Sequence, residues 1–295
     1  MLDIKLYLEQ ERDRINRVLE NSLAPAEEPS AVLEAMRYSV SAGGKRLRPL
    51  LTLAAAKTLG EESEQVLEVA CAVEYIHTYS LIHDDLPAMD DSNLRRGKPA
   101  CHRVFGEAVA ILAGDALLTM AFERLALYGL KSGRERAALM ISSDLAQASG
   151  AAGMIGGQAL DLQAERRALN AEELERMHSL KTGAMIKAAV RCGALASEAT
   201  AAELRALTGY GACLGLAYQI VDDLLDRERG AEELGKPAGA DQIRAKATYP
   251  ALLGDTAARQ RAETLHHDSL VHLKSLGRPA EILQGLADCL IFRTW

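Results

Sequence analysis

Apolar residues recur at intervals of three and four along most of the chain, the repeat that lays one side of a helix against a core. In VLEVACAVEYIHTYSLIH, residues 66 to 83, Val69, Val73, Ile76, Ser80 and Leu81 fall near that spacing and predict a helix with a core-facing stripe. GAMIKAAVRCGALAS, residues 183 to 197, predicts a second helix, whose small residues let neighbours approach closely. Strand-like alternation is hard to find, and alanine, leucine, glutamate and arginine, all good helix formers, dominate. Helix starts are legible in NAEELERMH from Asn170 and TAAELRAL from Thr200, each with a glutamate three residues after a capping residue. Gly60, Gly129 and Gly277, with Pro25, Pro29, Pro250 and Pro279, mark joints between helices. No repeat of fixed period, low-complexity tract or linker interrupts the pattern, which predicts one all-α domain over residues 1–295.

Composition narrows the class. With 295 residues, 48% hydrophobic and 25% charged, the chain is an ordinary globular sequence. Its start, MLDIKLYLEQERDR, mixes acids and bases too early for a signal peptide, and its most apolar later run, AVAILAGDALLTMAF, is cut by Asp115. A soluble protein without stable membrane association is expected. Cys71, Cys101, Cys192, Cys213 and Cys289 are odd in number and without CxxC spacing, which points to core thiols in a reducing, cytoplasmic setting. A formal net charge of −7 argues against a nucleic-acid partner. Against that acidic background, GGKRLRP (43 to 49), LRRGKP (94 to 99) and SLKTGAMIK (179 to 187) concentrate positive charge. Such local clusters suit a small anion such as phosphate or diphosphate.

Two aspartate groups oppose these cations. Asp84, Asp85 and Asp90 form DDxxxxD after the apolar helix, and Asp222, Asp223 and Asp226 form DDxxD within GLAYQIVDDLLDRE. Asp222 and Asp226, four apart, share a helix face. Asp84 and Asp90 would lie on nearly opposite faces of an unbroken helix at ~100° per residue. Pro87 resolves this, because it disfavours helical geometry at Leu86 and removes a donor, letting the chain bend and Asp90 swing back. A lone DDxxD is most simply an exposed acidic turn. Two in apolar contexts beside anion-binding clusters favour a shared cavity holding magnesium, which takes one or two carboxylates, water and substrate phosphates. A different class of site is suggested by Glu74-x-x-His77 and Glu175-x-x-His178, a pattern that builds di-iron carboxylate centres in helix bundles. That reading leaves both aspartate motifs and all three basic clusters without a role, and His178 reads as an exposed helix residue.

Taken in order, GGKRLRP, DDxxxxD with LRRG, GGQALDL (156 to 162), SLKTG, LAYQIVDDLLD and LGKPAGAD (234 to 241) run from residue 43 to 241. This series resembles the bacterial-type short-chain trans-isoprenyl diphosphate synthases, closest to the farnesyl diphosphate synthases, over nearly the whole chain. The resemblance implies an all-α prenyltransferase fold around a deep central cavity, usually a homodimer. It implies magnesium-dependent head-to-tail condensation of isopentenyl diphosphate with dimethylallyl or geranyl diphosphate, with three magnesium ions per loaded site and manganese as a substitute. Farnesyl diphosphate is the main product expected, with geranyl or geranylgeranyl diphosphate as alternatives.

By the same resemblance, Asp84, Asp90 and Asp222 ligate metal, with Asp85, Asp223 and Asp226 nearby. Arg95, Lys181 and Lys236 bind the allylic diphosphate, while Gly44, Lys45, Arg48, His77 and Arg96 form a metal-free pocket for isopentenyl diphosphate. Thr182 and Gln219 stabilise the allylic cation, and Lys246 joins the substrate-binding set. Tyr79 and Ser80, five and four residues before Asp84, sit about 6 to 7.5 Å up the helix and are expected to limit product length. Departures from the family pattern are Tyr218 in place of the usual phenylalanine, Arg244 and Ala245 before Lys246, and the C-terminal CLIFRTW. A terpene cyclase also carries DDxxD, but its Asn/Asp, Ser/Thr and Glu triad is not apparent, and GGKRLRP has no role there.

Overall fold

A computed structural model describes residues 3–23, 30–164, 169–228 and 248–292. Helices α1 (Ile4–Ser22), α2 (Ala31–Val40), α3 (Leu47–Thr58) and α4 (Val66–Asp84) lead to a small antiparallel hairpin, β1 (Leu94–Arg95) and β2 (Lys98–Pro99). Next come α5 (Cys101–Phe105), α6 (Glu107–Ser132), α7 (Glu135–Ser149) and α8 (Met154–Ala164). α9 (Ala171–His178) passes through a π-helical turn, Ser179–Gly183, into α10 (Ala184–Ala196). α11 (Ala201–Glu228), α12 (Tyr249–Leu253), α13 (Asp255–Ser275) and α14 (Glu281–Ile291) complete the described elements. The all-α expectation therefore holds apart from the hairpin.

Helices α4 and α10 form the centre, α4 packing against α3, α6 and α10, and α10 against α3, α7 and α11. A helix enclosed on most sides is apolar on most sides, and α4 buries Leu67, Ala70 and Tyr75 as fully as Val69, Val73 and Ile76. Ser80 and Leu81, expected in the core stripe, are instead half-buried along with His77 and Asp84. These four positions make one open stripe on a helix whose other partly open positions are Glu68 and His83. Truncating Ile76 to alanine would cost about 2–5 kcal/mol by loss of apolar burial and the cavity left behind. The small residues of α10 permit near contact with α3, where the Thr52 hydroxyl donates to the Ala189 carbonyl at 2.9 Å.

A second apolar cluster, including Leu174, Ala217, Ile220, Tyr249 and Ala258, ties α9, α11, α12 and α13 together. Both predicted capping boxes form: Asn170 and Glu173 exchange hydrogen bonds, as do Thr200 and Glu203. Gly129 does not mark a joint. It lies inside α6, where an added Cβ would meet the Ala138 methyl of α7 at 2.8 Å. All five cysteines carry free thiols. Among the described residues no helix is long and apolar enough to cross a membrane.

Candidate active site

α4 ends at Asp84, three residues before Pro87. The chain then folds back, so that the Asp90 N–H donates to the Asp84 carbonyl at 2.8 Å and the Ser92 N–H to the Asp85 carbonyl at 3.1 Å. Proline thus brings the two ends of DDxxxxD together as its geometry predicts. Burial pushes the Asp84 carboxyl up to about 6, with Lys181 and Arg95 opposing the shift and Asp90 and Asp85 adding to it. Asp85 is buried and accepts the Arg95 Nε–H at 3.1 Å. Burial raises its carboxyl despite that bond.

The hairpin assigns two adjacent arginines to different neighbours. Arg95 pairs across the ladder with Lys98, leaving Arg96 and Gly97 as the turn, with φ of +53° and +75°. Two successive positive φ values suit the twist of a two-residue hairpin. Arg95 reaches Asp85, whereas Arg96 Nη1 donates to the Gly43 carbonyl in the glycine loop before α3. The Tyr38 hydroxyl, donating to the Pro99 carbonyl at 2.7 Å, fastens the second strand to α2.

Around that loop the cations crowd. Gly44 has φ of +120°, a backbone conformation that favours glycine, and a Cβ there would lie 2.6 Å from Arg96 Cζ and displace that guanidinium. Lys45 is exposed. Arg46, with φ of +51°, turns inward, and its guanidinium donates to Glu74 Oε1 at 2.7 Å, Asn16 Oδ1 at 2.8 Å and the Val40 carbonyl at 2.5 Å. Burial lowers the Arg48 guanidinium pKa, with Tyr218 and Glu74 opposing. Burial, then the charges of Arg48, Arg96, Arg95 and Arg46, hold His77 well below its ordinary value. His77 is therefore a neutral imidazole at pH 7.

The other wall rests on the π-helical turn, a local widening that recurs at functional sites. It carries Lys181 and Thr182 side by side. Lys181 Nζ meets Asp161 Oδ2 of α8 at 2.6 Å. At Gly157, a turn before Asp161, an added Cβ would lie 2.2 Å from the Lys181 backbone nitrogen, which explains the second glycine of GGQALDL. The Thr182 hydroxyl donates to Gln219 Oε1 at 2.9 Å, Gln219 Nε2 donates to Asp223 Oδ1 at 2.9 Å, and the Tyr249 N–H donates to Asp223 Oδ2 at 3.0 Å. Asp223 is therefore a support for α11, and Asp222 beside it is exposed. Asp226, four residues on, is buried. Lys181 links the walls, acting on Asp84 through space while its neighbour Thr182 bonds Gln219. Lys236, Lys246, Arg244 and LGKPAGAD lie outside the described residues.

The carboxylates of the di-iron reading are engaged elsewhere. Glu74 pairs with Arg46, and Glu175 with Arg261 at 2.7 Å. His178, expected to be exposed, is buried against the Tyr249 ring with centroids 5.6 Å apart, and burial lowers it to about 4. The apolar neighbours brought by α11 and α12, remote in sequence, cover it. Ser80 lies on the open stripe of α4, its hydroxyl donating to the His77 carbonyl at 2.9 Å. Tyr79 is buried, with its ring edge-on to His83 and its hydroxyl without a hydrogen-bond partner. Arg46 and Asp161 were given no role by sequence reasoning, and Glu74 none outside the di-iron pattern. Arg46 and Asp161 sit inside recognised motifs, but nothing in the spacing says that their side chains turn to internal partners.

No three acids or histidines among the described residues come close enough to cage a metal. Magnesium does not require a cage, since water and substrate phosphates complete its shell. The donor set suits it: aspartates only, with Asp84 held high by burial and by two neighbouring carboxylates whose charge a divalent cation would offset.

An all-α fold with two aspartate motifs, flanked by lysine and arginine and bridged through one lysine, defines the class of isoprenoid synthases. The polyprenyl synthetase family model matches residues 29–273, and the chain belongs to that family. It is 47% identical to the farnesyl diphosphate synthase of Escherichia coli (strain K12), over 99% of each chain. It is 46% identical to the putative chloroplastic geranylgeranyl pyrophosphate synthase 8 of Arabidopsis thaliana, over 90% of this chain and 75% of that one. Among solved structures, a geranyltransferase from Helicobacter pylori complexed with magnesium and isoprenyl diphosphate superposes with a TM-score of 0.86 at 33% identity, over 99% of this chain and 98% of that one. The protein is a prenyltransferase that elongates prenyl diphosphate chains.

Proposed function

We propose that the protein condenses isopentenyl diphosphate head to tail with dimethylallyl or geranyl diphosphate, giving mainly farnesyl diphosphate and releasing diphosphate. The observation that carries the residue assignment is the division of Arg95 from Arg96: one turns to the aspartates, the other to the glycine loop. On the aspartate side, Asp84, Asp90 and Asp222 would hold up to three magnesium ions, with manganese able to substitute. Magnesium supplies Lewis acidity toward the leaving diphosphate. Arg95, Lys181 and Lys236 add direct charge to that group. On the loop side, the Gly44 backbone, Lys45, Arg48, Arg96 and His77 hold isopentenyl diphosphate without metal, and Lys246 belongs to the substrate-binding set without assignment to either side.

When the allylic C–O bond breaks, its electron pair leaves with the diphosphate and an allylic cation remains. The double bond of isopentenyl diphosphate attacks that cation, and a proton is lost to the departed diphosphate. Positioning by the two pockets converts a two-substrate encounter into a local step. The oxygens of Thr182 and Gln219, fixed by their mutual hydrogen bond, direct dipoles toward the cation without a nucleophile strong enough to be alkylated.

Tyr79 and Ser80 set product length in this reading, with Ser80 leaving room for a ten-carbon intermediate and Tyr79 blocking further growth. A geranylgeranyl product is the second reading, favoured by the plant relative above. Chromatography of dephosphorylated products, after incubation with isopentenyl and dimethylallyl diphosphates, decides between fifteen and twenty carbons. Full turnover in excess chelator would contradict the metal assignment.

Residues 1–295 are read as a single catalytic domain working in the cytoplasm, without nucleic-acid partners or stable membrane association. A second copy of the chain is the proposed partner. Ile111 and Leu112 of α6 and Leu139 and Met140 of α7 leave large apolar side chains exposed, surface that a second copy would cover. Sedimentation equilibrium tests this, a concentration-independent monomer being the contrary result.

A further inference from the structure

Glu74 lies behind the cations of the glycine loop, three residues before His77 and on the same face of α4. Its side chain is 1% exposed and that of its partner Arg46 2%. Glu74 Oε1 accepts from Arg46, while Oε2 is buried with no hydrogen-bond donor. Arg46 in turn is clipped to α1 through Asn16 and to α2 through the Val40 carbonyl, and its left-handed backbone starts α3. A non-glycine residue in that conformation costs on the order of 1 kcal/mol or more and persists only where its surroundings hold it. A buried ion pair is in itself weak evidence of stability, because removing two charges from water offsets much of their attraction. What this pair does supply is a fixed place for the loop: Gly43 and Gly44, clamped by Arg96, immediately precede Lys45 and Arg46, and Arg48 follows two residues after Arg46.

We infer that Glu74 is a positioning residue for the isopentenyl diphosphate pocket, anchoring Arg46 and so holding the Gly43–Lys45 loop, Arg48 and Arg96 in their binding arrangement before the diphosphate arrives. This rests on the two-pocket reading given above. Arg48, Arg96 and Arg46 repel one another in an empty pocket, and Glu74 supplies the counter-charge from the closed side. The diphosphate then enters from the open side into cations that need not reorganise, which preserves affinity that ordering would otherwise cost.

The test is steady-state kinetics in magnesium with geranyl diphosphate and varied isopentenyl diphosphate. Glu74→Gln keeps the oxygen that accepts from Arg46 and removes the charge. It should raise KM for isopentenyl diphosphate about tenfold, equivalent to ~1.4 kcal/mol, while kcat and KM for geranyl diphosphate move less than twofold. The paired change Glu74→Met with Arg46→Met removes both charges at similar volume, a replacement that buried ion pairs often tolerate in stability. It should show the same split. If it fails to fold, Glu74→Gln decides alone. A lowered Tm with KM for isopentenyl diphosphate unchanged would make the pair merely structural and overturn the inference, as would equal losses in both KM values and kcat. Arg48→Ala separates the two levels. If that variant raises the same KM and the Glu74 variants do not, the positioning role alone fails. If Arg48→Ala also leaves it unchanged, the pocket reading fails and the inference with it.

Discussion

The two cationic regions beside α4 are built on opposite principles. Toward the aspartates, the cations Arg95 and Lys181 each already have a carboxylate, Asp85 and Asp161 respectively. Toward the glycine loop, Arg96 is held by a backbone carbonyl, and Arg48 Nε is buried with no hydrogen-bond partner. The titration behaviour follows. The Arg95 pKa is raised, with Asp85 overcoming the opposing burial, whereas those of Arg48 and Arg96 are lowered, chiefly by burial. A mixed-charge wall offers a diphosphate little net attraction until divalent cations join it. In the proposed assignment, a cation-rich pocket with the Glu74 carboxylate at its back needs no metal. In the assignment proposed above, this difference is what would keep two chemically similar diphosphates in separate places.

The largest effect expected is on the metal side. Asp84→Ala and Asp222→Ala should each lower turnover by about a thousandfold or more, because they remove stabilisation of charge that grows as the leaving group departs. Arg48→Ala should instead raise KM for isopentenyl diphosphate, about tenfold or more, with a smaller change in kcat, since that diphosphate keeps its charge through the reaction. Equal kinetic signatures for the three variants would erase the contrast between the regions.

Asp161→Asn sharpens the comparison from the other direction. Releasing Lys181 from its carboxylate should tighten allylic diphosphate binding in chelator by about fivefold, the scale of a partly exposed ion pair, as read by calorimetry. Unchanged metal-free binding would mean that Asp161 does not compete for the lysine.

Product length probes the open stripe between the regions. Ser80→Phe should shift products toward ten carbons, and Tyr79→Ala should shift them to twenty or more. If both folded variants still make only the fifteen-carbon product, neither residue limits length. The smallest effect concerns support of the second wall, where His178 packs on Tyr249, whose N–H caps Asp223. Its folded pKa lies near 4 against an ordinary 6.5, so the unfolded chain takes up the proton first. Stability is fully present above about 6.5 and is lost as pH falls toward 4. His178→Phe should flatten that part of the Tm–pH curve, and an unaltered slope would assign the acid sensitivity to other groups.

Much of this was legible because it is local. Capping boxes, the break imposed by Pro87 and the return of Asp90 act over a few residues, and proline and helix geometry suffice to read them. The hairpin was missed because strands of two residues carry no alternation, although Arg-Gly between LR and KP was its turn signal. The π-helical turn leaves no such mark in SLKTG. The partners of Arg46 and Asp161 depend on contacts 28 and 20 residues away, which only the packed fold supplies. His178 was misread for the same reason: a helix residue flanked by charge in sequence is covered by a tyrosine 71 positions later.

The central claim, that one pocket requires metal and the other does not, is tested most directly by calorimetric titration of the unmutated protein with each substrate alone, in magnesium and in excess chelator. Isopentenyl diphosphate is predicted to bind with affinities within about threefold in the two conditions. Dimethylallyl diphosphate is predicted to lose at least about a hundredfold in chelator, or ~2.7 kcal/mol. Loss of both, or retention of both, would contradict the account.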